Sequence, residues 1–382
     1  MMKRASSCMF SLALACGGGG GETTTDTGSS TDATGTSTET GTSTETGTST
    51  ETGTTDTSTS TAPTSTSDTS TTDTPPTGTS TDATTTDATT TTTSTTTGAI
   101  DPPMSLEDVL DGELELIADG HMFTEGPIWS PDGYLLYSDI PANTIFRWSE
   151  GEQASAFINP SGNSNGLAFD LEGRLLAAEH GGRRISRRVI GEQNAETLAG
   201  EFEGQSLNSP NDIAVRSDGT IYFTDPPYGI QPNQQELDFQ GVFRIDPQGQ
   251  LSLIADDFDR PNGIALSPDE SLLYVADTNA EHVRVFDVQA DGNAVGGQVF
   301  VDLQSDQPGN PDGMAVDAFG DLFVSGGGGV RVVTPAGELL GTIAVPEQVT
   351  NCKFGDPDGK ALFITAQARV YRIRLKVQGA GA

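Results

Sequence analysis

Six acidic or amide side chains recur at regular intervals in this chain of 382 residues, and each opens a short apolar segment. Successive members are 40, 46, 51, 50 and 39 residues apart, and in chain order they are Glu125, Asn165, Asn211, Asn262, Asp312 and Asn351. Carboxylate and amide oxygens are the ligands that hard cations such as calcium prefer. The set predicts a cation site, provided that the fold brings these residues together.

Glu125 and Asp312, with the side-chain oxygens of Asn262 and Asn211, form an all-oxygen set in which two carboxylates neutralise one divalent ion. Calcium takes about six to eight oxygen ligands, so water or substrate would complete its shell and leave exchangeable positions for Lewis-acid catalysis. Calcium is the first expectation, and magnesium, manganese and zinc are the alternatives. The alternative for the asparagines is a purely structural role, because Asn and Asp also form local turns at the start of strands.

The pattern Gly-x-Ser-x-Gly occurs at residues 162–166, but it opens an apolar strand of the second repeat and does not join a strand to a helix, so it is no nucleophile elbow; there is also no phosphate-binding loop. His180 ends the second strand of the second repeat and is a candidate catalytic or substrate-contacting imidazole, with a packed side chain as the alternative. His121 and His282 have no metal-ligand spacing to another His or Cys.

The segments that carry these residues share one plan, which residues 259–277 show in full. A polar residue and a glycine precede a short apolar strand, a tight turn and a second apolar strand, with no sustained helical period. A repeat of about 40 to 50 residues with several strands is typical of four-stranded propeller blades. We therefore expect an all-β six-bladed propeller over residues 105–377, with the six opening residues near one mouth of its channel.

A six-residue motif occurs twice in the chain, once before the first repeat and once in blade three. Residues 114–119 and 251–256 share the pattern Leu-x-Leu-Ile-Ala-Asp, and each begins eleven residues before a strand-opening residue. The second copy is the outer strand of blade three, so the first predicts an N-terminal strand that completes the last blade and closes the ring. The longest insertion, residues 226–239 in blade three, either caps the channel mouth or only decorates it.

Residues 1–15 have the charged and apolar character of a secretory signal that ends in a lipobox-like pattern before Cys16. The alternative is ordinary secretory cleavage. We expect Cys16 to be lipidated, residues 16–104 to form a disordered Thr-, Ser-, Gly- and acid-rich linker, and residues 378–382 to be a tail. The expected location is the bacterial cell envelope, exported and lipid-anchored, and Cys352 is then left without a disulfide partner.

Several blades resemble the gluconolactonase branch of the family that includes senescence marker protein (regucalcin) and the luciferin-regenerating enzyme. The similar runs are residues 162–170, 178–183, 207–213, 222–229, 257–263, 311–314 and 371–376. The resemblance spans residues 114–377 and implies a six-bladed propeller with one divalent cation at the channel mouth.

Carried over by position, the resemblance implies that Glu125, Asn262 and Asp312 are metal ligands and that Asp312 is also the catalytic base. Asn211 would be a fourth ligand or a substrate contact. Regucalcin-like members have an arginine where this chain has Ser209, so their substrate contacts do not transfer directly. Arg183 and His180 are the candidates to replace that contact.

These features predict a metal-dependent lactonase that hydrolyses a sugar lactone such as D-glucono-1,5-lactone to the aldonic acid. One alternative is hydrolysis of other esters or phosphotriesters at the same metal site. Another is a non-catalytic binding propeller on a lipid tether. The net charge of −35 opposes binding to nucleic acid or to an anionic membrane surface, so we expect the lipid anchor to be the only membrane contact. We also expect the protein to be a monomer.

Overall fold

The structure, a computed structural model, describes residues 101–381. The predicted signal segment 1–15, Cys16 and the predicted linker up to residue 100 lie outside the described residues. Within residues 101–381, no helix is both long enough and apolar enough to cross a bilayer. The described part begins with a one-turn helix, α1 (Leu106–Val109), and a short strand, β1 (Glu115–Ala118).

Six groups of four strands account for almost all regular structure in the described residues. Blade one contains β2 (Thr124–Ser130), β3 (Tyr134–Asp139), β4 (Thr144–Trp148) and β5 (Ser155–Ile158). Blade two contains β6 (Ser164–Phe169), β7 (Leu175–Glu179), β8 (Arg184–Arg188) and β9 (Glu196–Ala199), and it is followed by a small hairpin of β10 (Glu201–Phe202) and β11 (Gln205–Ser206). Blade three contains β12 (Ile213–Val215), β13 (Ile221–Asp225), β14 (Gly241–Ile245) and β15 (Leu251–Ala255). A 3₁₀ turn, Pro232–Gln234, lies between β13 and β14.

The remaining blades repeat the pattern. Blade four contains β16 (Pro261–Leu266), β17 (Leu272–Asp277), β18 (His282–Val288) and β19 (Ala294–Asp302). Blade five contains β20 (Met314–Val316), β21 (Leu322–Gly326), β22 (Gly329–Val333) and β23 (Leu339–Ala344). Blade six contains β24 (Asn351–Gly355), β25 (Ala361–Ala366) and β26 (Arg369–Arg374), and its outer strand is β1. Every blade is an antiparallel four-stranded sheet.

The first strands of the blades form a closed ring around the channel. Each first strand contacts the next one: β2 contacts β6, β6 contacts β12, β12 contacts β16, β16 contacts β20, and β20 contacts β24. The last, β24, contacts β2 and closes the ring. The prediction of an all-β six-bladed propeller with four-stranded blades is thereby confirmed. This ring determines which residues can meet, because each first strand has a neighbour on both sides.

Six apolar clusters fill the gaps between neighbouring blades, one at each interface. Tyr137 and Trp148 of blade one pack with Phe363 of blade six, for example. Side chains alternate along each strand, so the two faces of a blade contribute to two different clusters. A blade alone would leave both faces exposed, and only the complete ring buries them.

The strand before blade one lies beside the last strand of blade six. Glu115 pairs with Arg372 and Ala118 pairs with Val370 across β1 and β26. Arg372 also donates a 2.8 Å hydrogen bond to the Glu115 carboxylate. Val109 of α1 is fully buried in the cluster between blades five and six, so the residues before blade one pack against the end of the chain.

Candidate active site

The six strand-opening residues lie on consecutive first strands around the ring. Five of them are buried, and Asp312 is partly exposed. Glu125, Asn165, Asn262 and Asn351 belong to their strands, whereas Asn211 and Asp312 stand two residues before β12 and β20. The structure therefore brings together, at one end of the first strands, the residues that the sequence grouped.

Glycine after a strand-opening residue permits close contact between neighbouring first strands. At Gly126, with φ of +53°, a Cβ would overlap the backbone carbonyl group of Asn165. At Gly263, a Cβ would overlap the carbonyl oxygen of Asp312 in the same way. A larger residue at either position would push two blades apart, so these glycines set the narrow diameter of the channel.

Glu125 and Asp312 are the two predicted carboxylate ligands. The side-chain nitrogen of Asn351 and the backbone N–H of Gly126 donate hydrogen bonds of 3.1 and 2.9 Å to Glu125 Oε2. Burial raises the pKa of Glu125 to about 8 despite these two donors. Burial, and then the charge of Glu125, raise the pKa of Asp312 well above its ordinary value. Asp312 Oδ1 is buried without a hydrogen-bond partner among the described residues.

Asp212 is a third carboxylate at this end of the first strands; it is buried, and it was not among the residues predicted for the site. It stands where four of the other blades have glycine. It accepts hydrogen bonds of 2.9 Å from the Ile213 N–H and 3.3 Å from the Ile264 N–H. Burial raises the pKa of Asp212, and its charge in turn contributes to the raised pKa values of Glu125 and Asp312. The sequence signal for Asp212 was an aspartate directly after Asn211, at a position where four other blades have glycine.

The chemistry of these donors fits a hard divalent cation. The three carboxylates of Glu125, Asp212 and Asp312 all have pKa values raised by desolvation, and a cation among them would stabilise their ionised forms. Within residues 101–381, no three His, Cys, Asp or Glu side chains are grouped as metal ligands. A cation at this mouth would therefore need amide oxygens as well as Glu125 and Asp312, and Asn262 and Asn211 are the amides that the sequence predicts.

Asn262 is held in place by Thr278. Its side-chain nitrogen donates a 3.0 Å hydrogen bond to Thr278 Oγ1, which itself donates a 2.8 Å hydrogen bond to the carbonyl oxygen of Pro311. The hydroxyl oxygen of Tyr228 lies 3.5 Å from the same nitrogen, at the limit of hydrogen-bond distance. Because the hydrogen bond to Thr278 engages the amide nitrogen, the side-chain oxygen of Asn262 is the group left to bind a cation.

The insertion between β13 and β14 lies against this site. Asn208 ties its two ends together, because its side-chain nitrogen donates 3.0 Å hydrogen bonds to the carbonyl oxygens of Asp225 and Phe239. Gly229 donates a 2.7 Å hydrogen bond to Ser209 Oγ. The insertion thus places Tyr228 beside Asn262, and burial followed by the charge of Asp312 raises the pKa of Tyr228 to about 12.

His180 lies under the same insertion. Its side chain is 7% exposed, and burial lowers the pKa of its imidazole to about 4. Its Nε2 lies 3.4 Å from Asn165 Nδ2, and a Cβ at Gly229 would come within 2.7 Å of His180 Cβ. The imidazole is therefore neutral at neutral pH and covered by the chain at Gly229. Its role in catalysis or substrate contact stays a prediction.

Arg183 holds the insertion and the preceding segment in place. Its Nε and Nη2 donate hydrogen bonds of 2.6 and 3.2 Å to the carbonyl oxygens of Leu207 and Ser206. Its Nη1 binds Glu236 Oε1 at 3.2 Å. All three guanidinium nitrogens are engaged by the protein, and the substrate contact proposed for Arg183 stays a prediction.

Comparison with known proteins gives three consistent results. Residues 123–368 match the family described as "SMP-30/Gluconolactonase/LRE-like region". A gluconolactonase from Zymomonas mobilis is 34% identical over 303 residues, which cover 72% of this chain and 85% of that protein. A solved gluconolactonase from Xanthomonas campestris is 36% identical and covers 72% of this chain and 95% of its own, with a TM-score of 0.66.

A more distant relative is named for a different sugar lactone. A pentonolactonase from Haloferax volcanii is 27% identical over 248 residues, which cover 63% of this chain and 80% of that protein. The gluconolactonase and pentonolactonase relatives therefore act on more than one sugar lactone.

Proposed function

Because the chain belongs to the SMP-30/gluconolactonase/LRE-like family, we propose that it hydrolyses D-glucono-1,5-lactone and that it uses a divalent cation to do so. The chain is a hydrolase of the class that acts on carboxylic esters, and its reaction is the opening of a lactone. The preferred sugar and the need for a metal are the two parts that we propose.

One observation carries the metal dependence. One carboxylate oxygen of Asp312, Oδ1, is buried without a hydrogen-bond partner among the described residues, and the neighbouring carboxylates Glu125 and Asp212 raise the pKa of Asp312 further. A buried, unpartnered carboxylate oxygen beside two other carboxylates is a group that a cation could satisfy, which supports the proposal. Glu125, Asp312, Asn262 and Asn211 are the residues that would hold the cation.

When bound, the cation supplies positive charge that keeps the two carboxylates ionised and polarises the lactone carbonyl group. Calcium fits the all-oxygen donor set best, because carboxylate and amide oxygens without nitrogen or sulfur donors favour a hard ion.

Asp312 is the group that moves protons in this proposal. Its carboxylate takes a proton from a water molecule as that water adds to the carbonyl carbon of the lactone. The bond between that carbon and the ring oxygen then breaks, and Asp312 returns the proton to the departing oxygen. One water is consumed and one hydroxy acid is formed, so Asp312 ends the cycle as it began.

Hydrogen bonds fix the positions of Glu125 and Asn262 in the site. Glu125 is fixed by Asn351 and Gly126, and Asn262 is fixed by Thr278, so neither side chain has to reorganise during the reaction. Such preorganisation is the main way in which enzymes stabilise developing charge. The insertion of blade three places the hydroxyl oxygen of Tyr228 3.5 Å from the side-chain nitrogen of Asn262.

The test is a metal analysis of the purified full-length chain together with a lactonase assay before and after chelation. Hydrolysis of D-glucono-1,5-lactone is followed by proton release against a blank without enzyme, because this lactone also opens spontaneously. We expect about one equivalent of divalent cation, loss of activity on chelation, and recovery with calcium ahead of magnesium, manganese or zinc. Full activity of metal-free protein would contradict metal dependence, and no activity in any condition would contradict the substrate.

A further inference from the structure

We propose that Tyr228 and Arg260 form the subsite that recognises the hydroxyl groups of the sugar lactone. This inference rests on the proposed function and extends it, because it names the residues that distinguish a sugar lactone from a plain one. The two side chains stack on one another beside the candidate cation site.

Tyr228 has one end in the site and one face in solvent. Its hydroxyl oxygen lies 3.5 Å from Asn262 Nδ2, while 40% of the residue remains exposed. A tyrosine with a buried polar tip and an exposed ring face has the amphipathic character that is common among ligand-contacting side chains. The exposed ring offers a flat surface for the C–H groups of a sugar ring, and the hydroxyl group offers a hydrogen bond.

Arg260 is placed over that ring by an uncommon backbone conformation. Its guanidinium carbon lies 4.8 Å from the centre of the Tyr228 ring. Its φ is +79°, in the left-handed region that side chains other than glycine seldom adopt. Hydrogen bonds of 3.0 Å from its N–H to Gln240 Oε1 and from the Thr278 N–H to its carbonyl oxygen maintain this conformation.

The neighbouring polar side chains already form contacts within the protein. The guanidinium nitrogens of Arg183 bind two backbone carbonyl groups and Glu236. The hydroxyl group of Ser209 accepts a hydrogen bond from Gly229, and Gly229 packs directly on His180. Of the polar groups at this rim, Tyr228 and Arg260 are the pair that combine proximity to Asn262 with an exposed surface.

The chemistry of the pair suits a polyhydroxylated ring. A guanidinium group presents five N–H donors in a fixed plane, and a phenol both donates and accepts one hydrogen bond. A lactone without hydroxyl groups offers these donors nothing to bind, although its reacting carbonyl group is the same. The pair should therefore act on the sugar part of the substrate and leave the carbonyl chemistry unaffected.

The experiment compares two lactones in each variant of the full-length chain, with metal present. The lactones are D-glucono-1,5-lactone and δ-valerolactone, which have the same six-membered ring with and without hydroxyl groups. The variants are Tyr228→Phe, which removes only the hydroxyl group, and Arg260→Gln. The readout is the ratio of kcat/KM for the two lactones, which is independent of the fraction of protein that is folded.

Matched controls come from a second Tyr–Arg stack. The guanidinium carbon of Arg147 lies 4.2 Å from the centre of the Tyr134 ring. Tyr134 pairs with Ser130, whereas Glu125 pairs with Ser138 at the other end of the same two strands. Tyr134→Phe and Arg147→Gln should leave the ratio unchanged.

We expect each site variant to lower kcat/KM for D-glucono-1,5-lactone by about 3- to 10-fold, the effect of losing one or two hydrogen bonds. The value for δ-valerolactone should stay within about 2-fold, so the ratio itself should fall. An equal loss on both lactones, or no loss on either, would overturn the proposal. If wild-type protein hydrolysed neither lactone, the proposed function would fail, and this inference would fail with it.

Discussion

The side-chain nitrogen of Asn351, in the last blade, donates a 3.1 Å hydrogen bond to Oε2 of Glu125, in the first blade. These residues are 226 positions apart in the chain, and only the closed ring brings them together. Thr350, the residue before, also donates a 2.8 Å hydrogen bond to the carbonyl oxygen of Thr124. The geometry of the predicted ligand Glu125 therefore depends on how firmly the two ends of the propeller are joined.

Removal of the strand before blade one tests that dependence. A deletion through residue 119 removes β1 and the buried Val109, and exposes the edge of β26. We expect a fall of many degrees in the melting temperature and a loss of lactonase activity, because blade six then lacks its outer strand. A deletion through residue 98 is the matched control and should change neither. Equal melting temperatures for the two deletions would show that the strand does not stabilise the ring.

The glycine at the start of blade one gives a second test. Gly126→Ala would place a methyl group on the Asn165 carbonyl group, in addition to the strain of a positive φ. Gly173→Ala is the control, because Gly173 has a φ of +75° with nothing near its missing Cβ. We expect Gly173→Ala to cost about 1 kcal/mol in the free energy of unfolding and Gly126→Ala to cost several times more. Similar costs in denaturant unfolding would mean that the first strands can separate freely.

A buried acid pair in blade five predicts a pH dependence of stability. Burial, followed by the charge of Asp317, raises the pKa of Asp321 to about 7. The folded chain then binds more protons than the unfolded chain between about pH 4 and 7, so the free energy of unfolding falls as the pH rises through that window. Asp321→Asn removes the titrating group, and it should raise the melting temperature by several degrees at pH 8 and have little effect at pH 4.

Asp358→Asn provides a control of opposite sign. Hydrogen bonds from Arg374 lower the pKa of Asp358 to about 2, so this carboxylate contributes stability at neutral pH that is lost as the pH falls towards 2. Asp358→Asn should slightly lower the melting temperature at pH 8, because the carboxylate is half exposed. The same shift at pH 4 and pH 8 for Asp321→Asn would refute the assignment of a raised pKa to that residue.

Local patterns in the sequence were enough to predict the blades. The two apolar strands predicted within residues 259–277 correspond to β16 (Pro261–Leu266) and β17 (Leu272–Asp277). Alternating apolar residues and turn residues act within one unit of the chain, so they can be identified without knowledge of the rest. The spacing of the units then indicated that their first residues would meet.

Features that depend on distant contacts were not predictable in this way. Asp212 becomes a site residue because the first strands of blades two and four lie on either side of it, at Gly166 and Ile264. Tyr228 reaches Asn262 because Asn208 and Ser209 hold the insertion, and neither contact follows from a periodic pattern. The guanidinium group of Arg183, whose contact with the substrate stays a prediction, binds two carbonyl groups and Glu236, and no sequence pattern reveals such backbone partners.

Glu125→Gln should separate metal binding from catalysis. The substitution keeps an oxygen donor but removes one of the two charges that would neutralise a divalent cation, so calcium affinity should fall by at least about tenfold. We expect a smaller calcium-induced rise in melting temperature and partial recovery of kcat in excess calcium. Unchanged calcium affinity by titration calorimetry would exclude Glu125 as a ligand.

The most direct test of the account is the turnover of Asp312→Asn on D-glucono-1,5-lactone, measured with the bound cation quantified in the same sample. Asparagine keeps an oxygen of similar shape but cannot accept the proton from water. With metal bound, we expect kcat to fall by about 10²- to 10⁴-fold, the usual effect of removing a positioned general base. Hydrolysis at the wild-type rate by metal-loaded Asp312→Asn would contradict the assignment of Asp312 as the base.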